Sequence, residues 1–481
     1  VRGRSARKRA ARLLVIGLAL HAAAAFGLSN RPNVLMVFID DLGYTDLGCF
    51  GGTGASTPNI DRLAAEGLRF RSFYVNAPIC SPSRTALATG QYPQRWRITS
   101  YLDNRQANER RGMASWLDPR APLLARELQR SGYATGHFGK WHLGGQRDVG
   151  DAPLITDYGF DRSLTNFEGL GPRVLPLCDA YDGTPVRRHD LGSAGLGRGP
   201  IRWADRSGIT AAFVQEALTF MEEAATAGKP FYVNLWPDDV HSPFFPPKAL
   251  RAGAGKDKRA LYQAVLTAMD QQLGPLFDRV RSDDRLRQNT LILLASDNGP
   301  EAGAGSSLPL RGSKGLLYEG GVRAPLIVWG PGLLAPGKAG SVNGSAVLCT
   351  LDLNRSLYAV TGTPLPQEVT LDGENLAEVL LGKTQGARQA PVYWRRPPDR
   401  PEAAGEKNPD LAVREGTWKA YTSYDGETTQ LYDLRVDVSE KTDLAARQPE
   451  VAARLTKAML AWNAGLPADS GSRKAKKRTE P

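Results

Sequence analysis

The chain has 481 residues, 41% hydrophobic and 23% charged, which is enough apolar content for a substantial core and an ordinary charge density for a soluble protein. The formal charge of +11 sits at the ends: residues 1–31 hold seven basic residues and no acid, and Arg473 to Arg478 add five more against Glu480. The body between is close to neutral and carries no groove-reading motif, which argues against nucleic acid as a partner, and four cysteines (Cys49, Cys80, Cys178, Cys349) do not make a disulfide framework.

The chain opens with a basic stretch, Arg2 to Arg12, an apolar run, Leu13 to Phe26, and alanines from Ala22 to Ala25. This is the pattern of a secretory signal peptide over residues 1–30, and it predicts a periplasmic or secreted protein. The alternative is an uncleaved anchor helix, but the run is shorter than the roughly 20 residues a membrane span needs, so no stable span is expected.

Asn33 to Ile39 then reads as a buried strand ending in Asp40-Asp41-Leu-Gly. Thr57-Pro58 opens a helix to Glu66, Leu68 to Val75 is a strand, and a helix is predicted from near Ser83 to Gly90. Pro122 to Arg130 (helix), Ala134 to Phe138 (strand), Gly208 to Ala225 (helix), Pro230 to Leu235 (strand) and Ala260 to Val280 (helix) continue the alternation. Thr290 to Ala295 is a strand ending in Ser296-Asp297-Asn298-Gly299, and Ala324 to Trp329 is another. Strands alternating with helices imply an α/β fold, a sandwich with a large, mostly parallel sheet. Ligands of such sheets bind beyond the carboxyl ends of the strands, where Asp40, Asp41, Asp297 and Asn298 fall. After a Pro- and Gly-rich shift near residues 362–410, three short strand-like runs and a helix, Pro449 to Asn463, suggest a small α+β domain. The expected organisation is a signal peptide (1–30), a catalytic domain (31–365), a small C-terminal domain (366–467) and a basic disordered tail (468–481).

Three carboxylates and one amide carbonyl, with no His or Cys among them, suit a hard divalent cation better than zinc. Each stretch alone is an ordinary turn sequence; their joint placement at strand ends is what suggests a site. Cys80, just before a predicted helix, is open to two readings: a thiolate with a depressed pKa, or an inert buried thiol.

Its setting, Cys80-Ser81-Pro82-Ser83-Arg84, resembles the recognition sequence of the formylglycine-generating system. Pro78 to Gly90, PICSPSRTALATG, resembles the first signature of the type I sulfatases, and the stretch from Gly132 through Leu143, GYATGHFGKWHL, the second. The resemblance runs from about Asn33 to Trp329 and is closest to bacterial carbohydrate and N-acetylgalactosamine-6-sulfatase-like enzymes. It implies an alkaline-phosphatase-like α/β/α sandwich that hydrolyses sulfate monoesters of carbohydrates or aryl alcohols. It also implies a calcium ion (Ca2+) held by Asp40, Asp41, Asp297 and Asn298, and Cys80 converted to formylglycine by a maturation enzyme. Arg84 and Lys140 match the cations that hold the formylglycine hydrate, His142 the base acting on it, and His241 and Lys314 the pair near the leaving-group oxygen. A family serine or asparagine near the sulfate is harder to place; Ser163 and Asn166 are the candidates. The cations would offset charge developing on the ester, and a histidine suits protonation of a departing alkoxide.

Specificity is expected in loops over the strand ends: Tyr92 to Asp103, with Arg95, Trp96, Arg97 and Tyr101; Phe167 to Leu177; and Phe244-Phe245. The rival readings are a phosphonate monoester or phosphodiester hydrolase of the same superfamily, whose members tend to carry His where Asn298 stands, and a non-catalytic binding protein, against which the complete residue set argues.

Overall fold

The computed structural model describes residues 31–178, 186–251, 253–400 and 408–471. The signal-peptide expectation and most of the basic-tail expectation fall outside them. Among the described residues no helix is long and apolar enough to cross a membrane.

The strands in chain order are β1 (Asn33–Ile39), β2 (Leu68–Tyr74), β3 (Ala134–Gly139), β4 (Arg162–Leu164), β5 (Arg173–Cys178), β6 (Arg187–Arg188), β7 (Ile201–Asp205), β8 (Phe231–Trp236), β9 (Thr290–Ser296), β10 (Arg323–Trp329), β11 (Ser341–Cys349), β12 (Val392–Arg395), β13 (Leu411–Glu415), β14 (Trp418–Thr422) and β15 (Thr429–Asp433). The longer helices are α1 (Pro58–Glu66), α2 (Cys80–Thr89), α3 (Leu124–Arg130), α4 (Ile209–Thr226), α5 (Lys258–Ser282), α6 (Thr350–Thr361) and α7 (Pro449–Ala464).

An 8-stranded sheet in the order β11-β2-β10-β9-β1-β8-β3-β4 forms the centre. It is parallel except for β10, which runs antiparallel to both β2 and β9. Alternate side chains of β1 point to opposite faces, as a pleated strand requires. Leu35, Val37 and Ile39 join Ile60 of α1, Phe213 of α4 and Leu273 of α5 on one side. Val34, Met36 and Phe38 join Leu87 of α2, Leu128 of α3 and Leu357 of α6 on the other. Burial on both faces explains why β1 and β9 read as apolar runs.

The small antiparallel sheet has the order β12-β13-β14-β15. Trp394, Ala412 and Tyr421 on one of its faces enter the same core as β1, while α7 covers the other through Leu455 and Met459. The strands β4 to β7, β11 and β12 and the helix α6 add to the elements the sequence pattern predicts.

Candidate active site

Four neighbouring parallel strands, β9, β1, β8 and β3, end at one edge, and their following residues converge there. Ile39 lies opposite Ser296 in register, which sets Asp40-Asp41 beside Asp297-Asn298. Asp41 N donates to Asp297 Oδ1 at 3.2 Å, and Asn298 Nδ2 to Asp41 Oδ1 at 2.7 Å. Lys140 and His142 follow β3. Gly139 before them has φ +120, and a Cβ there would lie 1.9 Å from Trp236 O, so only glycine lets the chain pass. Asp41 (φ 58) and His142 (φ 55) themselves sit in the left-handed region, a strained conformation for non-glycine residues that collects at functional sites.

Cys80 and Arg84 come from α2, which begins at Cys80 rather than near Ser83. Pro82 sits within the first turn, not before the helix, and a missing N–H there breaks no hydrogen bond. Cys80 and Arg84 are one turn apart and share a face. Arg84, fully buried, donates to Asp297 Oδ2 from Nε at 3.0 Å and Nη2 at 2.7 Å, and to Lys140 O from Nη1 at 3.0 Å. Lys140 Nζ lies 2.6 Å from Asp40 Oδ2 and 3.9 Å from Cys80 Sγ. Because β10 is antiparallel, the loop before it reaches the same edge and brings Lys314 Nζ to 2.6 Å from Asp41 Oδ2. That loop is held on both sides: Gly315 N donates to Pro78 O at 2.7 Å, and Glu319 N to Glu440 Oε2 at 2.9 Å. His241, after β8, has Nε2 3.7 Å from Asp41 Oδ2 and Nδ1 2.6 Å from Ser242 O. A carbonyl only accepts, so Nδ1 carries a hydrogen and Nε2 is the position that exchanges a proton.

Ligand atoms of Asp40, Asp41, Asp297 and Cys80 all lie within 4.8 Å of one another, as do those of Asp40, Cys80 and His241. Asp40 Oδ1 and Asn298 Oδ1 are buried without a hydrogen-bond partner. Burial, with repulsion from Asp40 added, pushes Asp297 up to about 8 despite Arg84. For Asp40, burial acts upward too, but Lys140, His241, Arg84 and Lys314 together hold it well below the usual carboxylate range. Crowded carboxylates with unmet oxygen lone pairs suit a hard divalent cation. Burial first and Asp40 second push the Cys80 thiol well above its ordinary value, so the thiolate reading of Cys80 does not fit this pocket.

The structure also places a residue that sequence reasoning missed. Glu168 is buried, with Oε2 3.0 Å from Lys140 Nζ and 3.2 Å from His142 Nδ1, and its carbonyl accepts from His142 N at 2.7 Å. Of the two candidates from the same region, Ser163 lies in β4 opposite His137, and Asn166 Oδ1 accepts from Glu168 N at 3.2 Å. His137 is fully buried among Trp141, Phe160 and Trp236. In the specificity loops, Arg95 is engaged by Asp372 at 2.7 Å and Trp96 Nε1 by Gln91 at 3.2 Å. Arg97 donates to Gly112 O at 3.3 Å, and Phe244 packs inward on Tyr262. Tyr101 is flanked by Arg111 and Arg400 at 4.6 and 5.5 Å. None of the four cysteines is in a disulfide.

Residues 32–362 match the Sulfatase family model, and the chain belongs to that family of sulfuric ester hydrolases. It is 33% identical to human arylsulfatase A over 475 residues, which cover 90% of this chain and 88% of that protein. It is 31% identical to the dog (Canis lupus familiaris) N-acetylgalactosamine-6-sulfatase over 396 residues, 80% of this chain and 72% of that one. Among solved structures, Ps i-CgsB in complex with k-i-k-neocarrahexaose superposes with a TM-score of 0.72 at 25% identity, covering 90% of this chain and 92% of that one.

Proposed function

We propose that this chain hydrolyses sulfate monoesters of carbohydrates at the strand-end site, with calcium held by Asp40, Asp41, Asp297 and Asn298 and with Cys80 matured to formylglycine. The observation that carries the reading is the meeting of Cys80 Sγ with the Asp40, Asp41 and Asp297 carboxylates within 4.8 Å, under the Lys140 ammonium. A relative that is an N-acetylgalactosamine-6-sulfatase and a neighbour solved with a neocarrahexaose support the carbohydrate class.

Calcium, when bound, supplies positive charge where the ester oxygens gain negative charge. Formylglycine at position 80 supplies, as its hydrate, the hydroxyl nucleophile that a buried thiol does not. Arg84 locks Asp297 and the start of α2 in one arrangement. Lys140, tied to Asp40, keeps a cation beside position 80, and Lys314 keeps another beside Asp41; both stay charged, since neighbouring anions outweigh the cost of burial. His142 acts as the base towards position 80. His241, with Nδ1 fixed by Ser242 O, offers Nε2 to protonate the departing sugar oxygen. The catalytic unit of residues 31–365 and the small unit of residues 366–467 are proposed as the two folded parts, with export to the periplasm or outside the cell.

The test is the mass of the peptide containing Cys80 in active protein, which should fall by about 18 Da for thiol-to-aldehyde conversion. Cys80→Ala should abolish turnover with the thermal midpoint kept. An unmodified thiol in active protein, or activity in that variant, rejects the reading. Parallel assays on sulfate and phosphate esters decide between sulfatase and phosphodiesterase action.

A further inference from the structure

The carboxylate of Glu168 and the ring of His142 face each other in a part of the site where nearly every other charge is accounted for. His142 is 4% exposed and Glu168 is 7% exposed. The ring is fixed at its far end: Nε2 lies 3.1 Å from Leu102 O, and Gln146 Nε2 donates to the same carbonyl. A carbonyl accepts and cannot donate, so Nε2 carries a hydrogen and Nδ1 is the nitrogen whose proton comes and goes. Nδ1 lies 3.2 Å from Glu168 Oε2. Neither atom has a hydrogen-bond partner, and the contact becomes a charge pair only when the ring is protonated.

The other charged groups that bear on His142 are Lys140 and Arg84, which oppose a proton on the ring, and Asp40, which favours it. Burial and Lys140 together hold the ring well below its ordinary value. Asp40 is already divided between Lys140 and Arg84, at 2.6 and 3.2 Å. Glu168 is the anion left in contact with Nδ1, and it meets Lys140 through the same oxygen.

We propose that Glu168 is a positioning residue for His142: with the tautomer set by the Leu102 carbonyl at Nε2, the Glu168 carboxylate holds the ring and is the counter-charge beside Nδ1 for the proton that the ring takes up during turnover. This rests on the reading of His142 as the base. On that reading the ring takes a proton from the reacting hydroxyl and loses it to solvent when the cycle closes; no bond to Glu168 forms.

The test uses the full chain carrying the Cys80 aldehyde, with pH profiles of kcat and kcat/KM on an aryl sulfate. Glu168→Gln keeps the shape and removes the charge. It should lower kcat by about 10- to 100-fold with KM little changed, and move the acid limb of the profile to lower pH, because an imidazolium without its counter-charge gives up its proton more readily. In a His142→Ala background the same substitution should cost nothing further, since its effect passes through the ring. A Glu168→Gln profile that keeps its acid limb, or losses that multiply in the double variant, overturns the proposal while leaving the sulfatase reading intact. Aldehyde-bearing wild-type protein without turnover of sulfate esters overturns that reading instead. Thermal midpoints and aldehyde content, measured for every variant, separate loss of the base from loss of fold or maturation.

Discussion

Arg84 grips Asp297 through two nitrogens, Nε at 3.0 Å and Nη2 at 2.7 Å, and so ties the helix that starts at Cys80 to the end of the strand beside Asp40. Position 80 and the acidic cluster are therefore one rigid unit. Lysine has the charge but not the planar two-pronged geometry. Arg84→Lys should reduce kcat about 100-fold and cost about 1–3 kcal/mol of stability, from the donors lost to Asp297 and the Lys140 carbonyl. Activity assays and urea denaturation check this; near-wild-type kcat would mean the grip is dispensable.

Removal of the proposed calcium should be visible without any substrate. Chelation should abolish turnover and lower the thermal midpoint, and calcium should restore both. At a free concentration about 100 times its Kd, the ion contributes about 2.7 kcal/mol. Asp41→Asn should remove the calcium-dependent part of the midpoint. A midpoint indifferent to chelator would show that these carboxylates hold no ion.

His241→Ala should slow alkyl sulfates far more than aryl sulfates with acidic phenols, because only a poor leaving group needs the proton. A loss of about 100-fold or more on sugar sulfates against less than about 10-fold on activated aryl sulfates is the expected split. Equal losses on both would remove His241 from that role.

Glu440 gives a stability test away from the chemistry. It accepts from Tyr421 Oη and Glu319 N and lies near the buried Lys419–Glu319 pair at 3.1 Å. Burial, then repulsion from Glu319, raises it to about 7 from 4.5, with Lys419 offsetting part. Its folded value lies above its unfolded one, so it favours folding most at low pH, and that contribution is lost as pH rises from 4.5 through about 7. The stability of Glu440→Gln relative to wild type should therefore climb by about 1–3 kcal/mol between about pH 4 and about pH 8, whatever its offset. A difference that stays flat across that range would show that Glu440 titrates normally.

Much of this site is legible in the sequence because its parts sit at fixed offsets from strong signals. Asp40-Asp41 and Asp297-Asn298 close two apolar runs, and Arg84 is one helical turn from Cys80. The direction of β10 is not legible, since an apolar run looks the same in either sense; only the pairing with β2 and β9 reveals it. β11 is hidden for another reason: Ser341 to Ser345 are largely exposed or half-exposed and polar, and β2 supplies their order. Glu168 is invisible because a glutamate in a loop is ordinarily solvated. Its burial comes from Lys140 and His142 on a different strand end. In residues 92–103 the sequence does not show that Arg95 is bonded to Asp372 and Trp96 to Gln91, partners 277 and 5 residues away.

Cys80 is 1% exposed, and Arg84 beside it is wholly enclosed. Another protein cannot reach that sulfur once α2 has docked, for the five-residue stretch an enzyme would have to read is interior on every side. If Cys80 is matured as proposed, the burial makes timing decisive: the conversion would have to act on the nascent, still extended chain, and a molecule that completed folding first would stay a thiol.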